Sequence, residues 1–164
     1  MTYTIFLSHS SKDTSLLPFI QQAAEAAGAS MFIAEHEVTP GVDLTKKIQQ
    51  NLESSKAVIW LVTPNSRSSQ IVQQEIGFAL ARKKIVIPIV VGNVIPEGMT
   101  LDIEYIRLDP LAPKATLNRL SNYIKDLAMK DRNATLIGLG AFVLGAFALY
   151  YCSREEDANE GSDK

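Results

Sequence analysis

Apolar and polar positions change their period several times along the chain, and each change marks an element. YTIFLS (3–8) is a short run of aromatic and β-branched residues and predicts a strand. From Ser15 to Ala27 the apolar residues recur at helical spacing. Asp13 stands ahead as a cap, Pro18 falls in the first turn where its missing N–H costs nothing, and Gly28 closes the element. SMFIA (30–34) predicts a second strand, followed by a loop through Pro40-Gly41 and a helix with Val42, Leu44, Ile48 and Leu52 along one side. AVIWLVT (57–63) is apolar without alternation, which predicts a central strand covered on both faces. A helix over 71–81, strands at 84–91 and 104–108, and a helix at 113–130 complete the series.

Five strands separated by helices imply an α/β fold. The expected form is a flavodoxin-like, five-stranded parallel sheet of order 2-1-3-4-5 with right-handed crossovers and helices on both faces. In such a sheet ligands bind beyond the carboxyl ends of the strands where the order reverses, here between strands one and three. The loop Ser8–Asp13 and the segment Asn65–Glu75 are predicted to meet there. Glu75 is unusual within its helix. Its neighbours at three and four residues' distance on the apolar side are Ile71, Val72, Phe78 and Ala79, so no cation on the same helix pairs with it.

Charge changes the picture at the C-terminal end. Residues 1–133 carry 14 Lys/Arg against 13 Asp/Glu, whereas 134–152 carry no charge at all. Nineteen helical residues at ~1.5 Å each reach ~28 Å, close to the ~30 Å hydrocarbon core of a bilayer. The expected organisation is a domain over 1–132, a transmembrane helix over 133–153 and an acidic disordered tail over 154–164. Lys125, Lys130 and Arg132 precede the span and Tyr150-Tyr151 close it, which predicts a single-pass protein with its N-terminal domain in the cytoplasm and its tail on the other side. Ala134, Gly138, Ala141, Gly145 and Ala148, spaced four, three, four and three, share one face of that span and suggest a self-association seam.

Several classes are disfavoured. A net charge of −2 gives no basic face for a nucleic acid. Cys152 is the single cysteine, so no intrachain disulfide or cysteine-based zinc site is available. His9 and His36 are the only histidines, and no metal site is expected. MTYTIFLSHSSKD has neither the basic start nor the long apolar stretch of a signal peptide.

Three segments together resemble a TIR domain. They are IFLSHSSKD, the PG loop leading into Gly41, Leu44, Ile48, Leu52 and Ser54, and VIWLVTPNSRSSQIVQQE. The likeness runs from residue 1 to about 130 and is closest to the compact prokaryotic type. It implies an NAD+ nucleosidase, a hydrolase or cyclase cleaving the nicotinamide–ribosyl bond, with Glu75 as the catalytic glutamate. It also implies substrate contacts from Ser8, His9, Ser10, Ser11 and Ile71, and a loop at Glu37, Thr39, Pro40 and Gly41 that serves assembly or gating. NAD+ is then substrate, with no cofactor. The implied partners are other TIR domains, with a homo-oligomer expected, and the bilayer; the implied setting is signalling or defence. Ile71 and Val72 stand where the family often has tryptophan and cysteine. The EHEVT loop (35–39) is acidic, so contacts to the substrate phosphates are expected from elsewhere.

One carboxylate suffices for this reaction. Nicotinamide is bound as a cationic pyridinium and departs neutral, so the general acid that an ordinary glycosidase requires is dispensable. What remains is stabilising positive charge on the ribose, which a carboxylate in a dry pocket does well. From residues alone, a glutamate on an amphipathic helix is more often a solvated surface group. By the same measure the serines read as turn chemistry, His9 as a loop residue and Trp60 as core. A non-catalytic TIR adaptor is the alternative function. A receiver domain of the same layout needs an aspartate at the end of strand three, where Thr63 and Pro64 stand.

Overall fold

The computed structural model describes residues 2–34, 44–94 and 104–134. In chain order they form β1 (Tyr3–Ser8), a 3-10 turn at Thr14–Leu16, α1 (Leu17–Ala26), β2 (Ala29–Ile33), α2 (Leu44–Ser54) and β3 (Ala57–Val62). There follow α3 (Pro64–Ser68), α4 (Gln70–Ala81), β4 (Ile85–Val91), β5 (Ile106–Leu108) and α5 over residues 113–134. The strands pair in the order β2-β1-β3-β4-β5, all parallel, as the alternation of strand and helix patterns predicts. The chain divides into two units, Met1–Asp126 and Leu127–Lys164, and the sheet lies wholly within the first.

β3 is central and all six of its residues are buried, consistent with its unbroken apolar run. Its even-numbered side chains face one way. Val58, Trp60 and Val62 cluster with Phe6 of β1, Val86 and Val90 of β4, Leu52 of α2, and Val72, Ile76 and Ala79 of α4. Ile59 and Leu61 face the other way, as do Ile5, Leu7, Ile87 and Ile89; α1 contributes Ile20, Ala23 and Ala24 to the buried set, and α5 contributes Leu120 and Ile124. Full burial of each such aliphatic side chain contributes ~1.5–3 kcal/mol, which is why the double-sided core dominates helix placement. Ser8 shares the face of Phe6 and is thereby aimed at α4.

Local signals act largely as expected. Pro18 sits in the first turn of α1, and Gly28 adopts φ +76 just past its end. One reading is corrected: Asp13 makes no cap hydrogen bond to the helix it precedes. Its carboxylate crosses instead to the segment after β3, where it accepts from the Thr63 hydroxyl and the Asn65 side-chain amide. The segment after β3 also holds a separate short helix, α3, capped by Thr63 and started by Pro64, before α4 begins under the Ser69 cap.

No helix among the described residues is long and apolar enough to cross a membrane. The expected span falls outside the described residues except at Asn133 and Ala134, the last helical positions described; so do Gly138, Ala141, Gly145, Ala148 and the tail. The PG loop residues Glu37, Thr39, Pro40 and Gly41 lie outside them as well.

Candidate active site

Glu75 lies near the middle of α4 and is 4% exposed. Helix and sheet position it jointly. α4 packs through Val72, Ile76 and Ala79 on the sheet, which turns the intervening Glu75 toward the end of β1. There the Ser8 hydroxyl donates to Glu75 Oε2 at 2.5 Å, a contact between residues 67 apart in sequence. Burial pushes the Glu75 carboxyl up to about 7, while the Ser8 hydrogen bond works in the opposite direction by favouring the ionised form. The site therefore holds an acid poised between its two states at neutral pH.

A cleft of about 300 Å³ opens beside it between α2 and α4, lined by Ile48, Gln49, Leu52, Ile71, Gln74, Glu75 and Phe78. Ile71 is 41% exposed and forms part of the wall, where the sequence comparison placed a pocket residue. Apolar side chains with two amides and one carboxyl suit a ligand that is partly aromatic and partly hydroxylated. A carboxylate in such surroundings interacts far more strongly with a developing cation than it would in water.

The loop after β1 is placed differently from its terminal serine. His9 and Ser10 are buried and Ser11 is exposed, and none of the three is among the residues lining this cleft. Ser10 makes turn bonds: its carbonyl accepts from Asp13 N at 2.9 Å and its hydroxyl from Lys12 N at 3.4 Å. The loop is held by Asp13, which accepts from Thr63 Oγ1 and, at 2.7 Å, from Asn65 Nδ2. Thr63 in turn accepts from Ser66 N at 3.0 Å, and the Ser66 hydroxyl accepts from Thr63 N at 2.9 Å, a reciprocal capping box. This hub joins the two loops that the topology predicts will meet. It borders a second cleft of about 310 Å³ lined by Lys12, Ser15, Leu16, Val91 and Pro110 as well.

The hub was not legible as a site from sequence. The T-P-x-S run at 63–66 was the available signal, since a threonine followed by proline marks a helix start. At the far end of the cleft the sequence gives even less warning of a group formed by Phe78, Arg82 and Glu53. The Arg82 guanidinium lies over the Phe78 ring at 4.8 Å and pairs with Glu53 at 2.7 Å. Among the described residues no cluster of His, Cys, Asp and Glu has the makings of a metal site.

Comparison with known proteins places this geometry in context. Residues 5–121 match a family model described as TIR domain. No curated protein matches the chain. Among solved structures, the TIR domain of the Toll-related receptor TRR-2 from Hydra magnipapillata is similar with a TM-score of 0.63 at 19% identity, over 76% of this chain and 99% of that one. A TIR-STING receptor from C. gigas, solved in complex with 2′,3′-cGAMP, gives 0.56 at 21% identity over 74% of this chain and 39% of that one. A flavodoxin-like domain from Synechococcus sp. gives 0.52 at 14% identity over 81% and 99%. At these identities the likeness is one of fold.

Proposed function

The chain belongs to the TIR domain family, and from that premise we propose that it is an NAD+ nucleosidase with Glu75 as its catalytic residue. The observation that carries the reading is a carboxyl group 4% exposed, opening on a cleft and accepting a hydrogen bond from the Ser8 hydroxyl at the end of β1. An acid kept dry at a cleft wall is costly to the fold and is the arrangement that stabilises a cationic transition state.

In this reading the nicotinamide ribose enters the cleft between α2 and α4. The bond from ribose C1′ to the pyridinium nitrogen breaks, its electron pair passes to that nitrogen, and neutral nicotinamide leaves. Glu75, ionised, faces the positive charge that grows on C1′ and the ring oxygen. Water then adds at C1′ and loses a proton, giving a hydrolysis product; attack by another atom of the substrate gives a cyclic one. Ser8 fixes the rotamer of Glu75 and lowers the cost of its charge. The bound pyridinium acts in the same direction, because an adjacent positive charge favours the carboxylate over the acid.

The wider reading adds a membrane tether over 133–153 and assembly with further TIR domains through the PG loop and the small-residue face of the span. High local concentration would then prime the enzyme, in a signalling or defence setting. The TIR domain would lie on the cytoplasmic side of the membrane, with the tail opposite. The test is incubation of the full chain with NAD+ at high protein concentration, followed by separation of products. Release of nicotinamide with ADP-ribose or a cyclic nucleotide is the expected result. NAD+ left intact, while the protein recruits partner TIR domains, would replace the enzyme with the adaptor reading.

A further inference from the structure

Among the described residues that line the Glu75 cleft there is no cation, yet a dinucleotide brings a diphosphate with two negative charges. The lining offers Gln49 and Gln74 as its polar groups besides Glu75 itself, and two neutral amides are poor compensation for that charge. A cation must come from the rim.

α4 supplies one in register. Glu75, Phe78 and Arg82 stand at positions i, i+3 and i+7, which places them along a single face of the helix. Phe78 lines the cleft and Arg82 lies on its ring, so the guanidinium is fixed at the cleft's end. Seven residues of helix separate Glu75 from Arg82 by ~10 Å along the axis. The helix also ends here in a defined way. Lys83 adopts φ 55, Lys83 N donates to Leu80 O and Lys84 N to Ala79 O, a closing turn that sets where Arg82 projects.

Arg82 is held without being used up. Its bond to Glu53 is 2.7 Å long, but the two side chains are 55% and 46% exposed, and ion pairs at such exposure contribute little. A diphosphate offers the guanidinium two oxygens and more charge than one carboxylate does. Lys84 anchors the same corner, donating to Glu53 O at 2.7 Å and Ser55 O at 2.6 Å. From these placements we infer that Arg82, stacked on Phe78, is the diphosphate-binding group for a dinucleotide whose nicotinamide ribose lies at Glu75, with Glu53 holding the guanidinium until substrate arrives. The inference rests on the nucleosidase reading and goes beyond it by naming what separates a dinucleotide from a plain nucleoside at this site.

The experiment compares NAD+ with nicotinamide riboside, which has the scissile bond and no phosphate, on the full chain. Arg82→Ala is expected to raise KM for NAD+ and to lower the ratio of kcat/KM for NAD+ to that for the riboside by about tenfold, with Arg82→Lys restoring part of it. Glu53→Gln breaks the same ion pair while keeping the cation, so it separates loss of a contact between α2 and α4 from loss of the phosphate group. An equal fall in the ratio for Glu53→Gln, or no fall for Arg82→Ala, overturns the inference while the activity stands. Cleavage of neither substrate by the unmodified protein overturns the activity and the inference together. Calorimetric titration of NAD+ into the Glu75→Gln chain and the Glu75→Gln, Arg82→Ala chain gives an independent reading. A dissociation constant unchanged by the second substitution counts against Arg82 regardless of turnover.

Discussion

Glu75→Gln should make the protein inactive and more stable at once. The folded-state carboxyl is raised from 4.5 to about 7, mainly by burial. Between those two values an unfolded chain has released the proton and the folded chain still holds it, so rising pH favours unfolding through that window and levels off above it. A shift of 2.5 units at ~1.36 kcal/mol each makes the ionised form about 3 kcal/mol costly to the fold above pH 7. Glutamine is isosteric and uncharged, so the cost disappears. The stability of Glu75→Gln relative to the natural chain should therefore rise by about 3 kcal/mol between pH 4.5 and pH 8, or roughly 10 °C in Tm for a domain of this size. Urea unfolding at both pH values measures it, with the single tryptophan, Trp60, 2% exposed, as the fluorescence probe. NAD+ cleavage by the same variant should fall by ~10²-fold or more. A stability difference that does not change with pH would show that the charge is not desolvated. Retained cleavage would refute the electrostatic role whatever the stability data show.

Ser8→Ala removes the donor that favours the ionised form, so the acid limb of kcat/KM should move to higher pH and activity at neutral pH should drop by roughly an order of magnitude; a pH profile that does not move refutes the role given to Ser8. Gly77→Ala should raise the unfolding free energy by ~0.5–1 kcal/mol, and the urea midpoint with it, because a Cβ at this interior position of α4 meets nothing within 4 Å; a lower midpoint would mean that α4 is packed more tightly there than described. Ending the chain at Arg132 should leave protein that alkaline extraction recovers in the supernatant, whereas the full chain should stay with the membrane pellet. Ala141→Leu with Gly145→Leu should keep the pellet behaviour and weaken crosslinked oligomers, and unchanged crosslinking would leave the span as an anchor only.

The surroundings of Glu75 show how legibility divides. Its isolation was visible in sequence, because helical neighbours lie at fixed spacings and all four on its apolar side lack charge. Ser8, 67 residues away, could be placed only in the neighbourhood by strand order; the hydrogen bond depends on β1 register and on the rotation of α4 about its axis. Asp13 was misread for a related reason. A short acidic side chain before a helix fits a cap by local rules, but Thr63 and Asn65 arrive beside it only when β1 and β3 pair. Likewise Arg82 and Glu53 stand on separate helices, and no spacing rule joins them.

By itself the sequence determined the series of strands and longer helices, the central place of β3 and the strand order, though not the separate short helix α3. Period, length and the handedness of crossovers are properties of local backbone geometry and of one-dimensional patterning. It also marked Glu75 as an acid without a cation on its own helix. Only the tertiary structure decided that this acid is dry, that the Ser8 hydroxyl meets it, and that the wall beside it comes from α2. Burial and its consequence for ionisation depend on how the layers stack in three dimensions, and water's exclusion from a carboxyl group is a property of everything around it rather than of its neighbours in the chain.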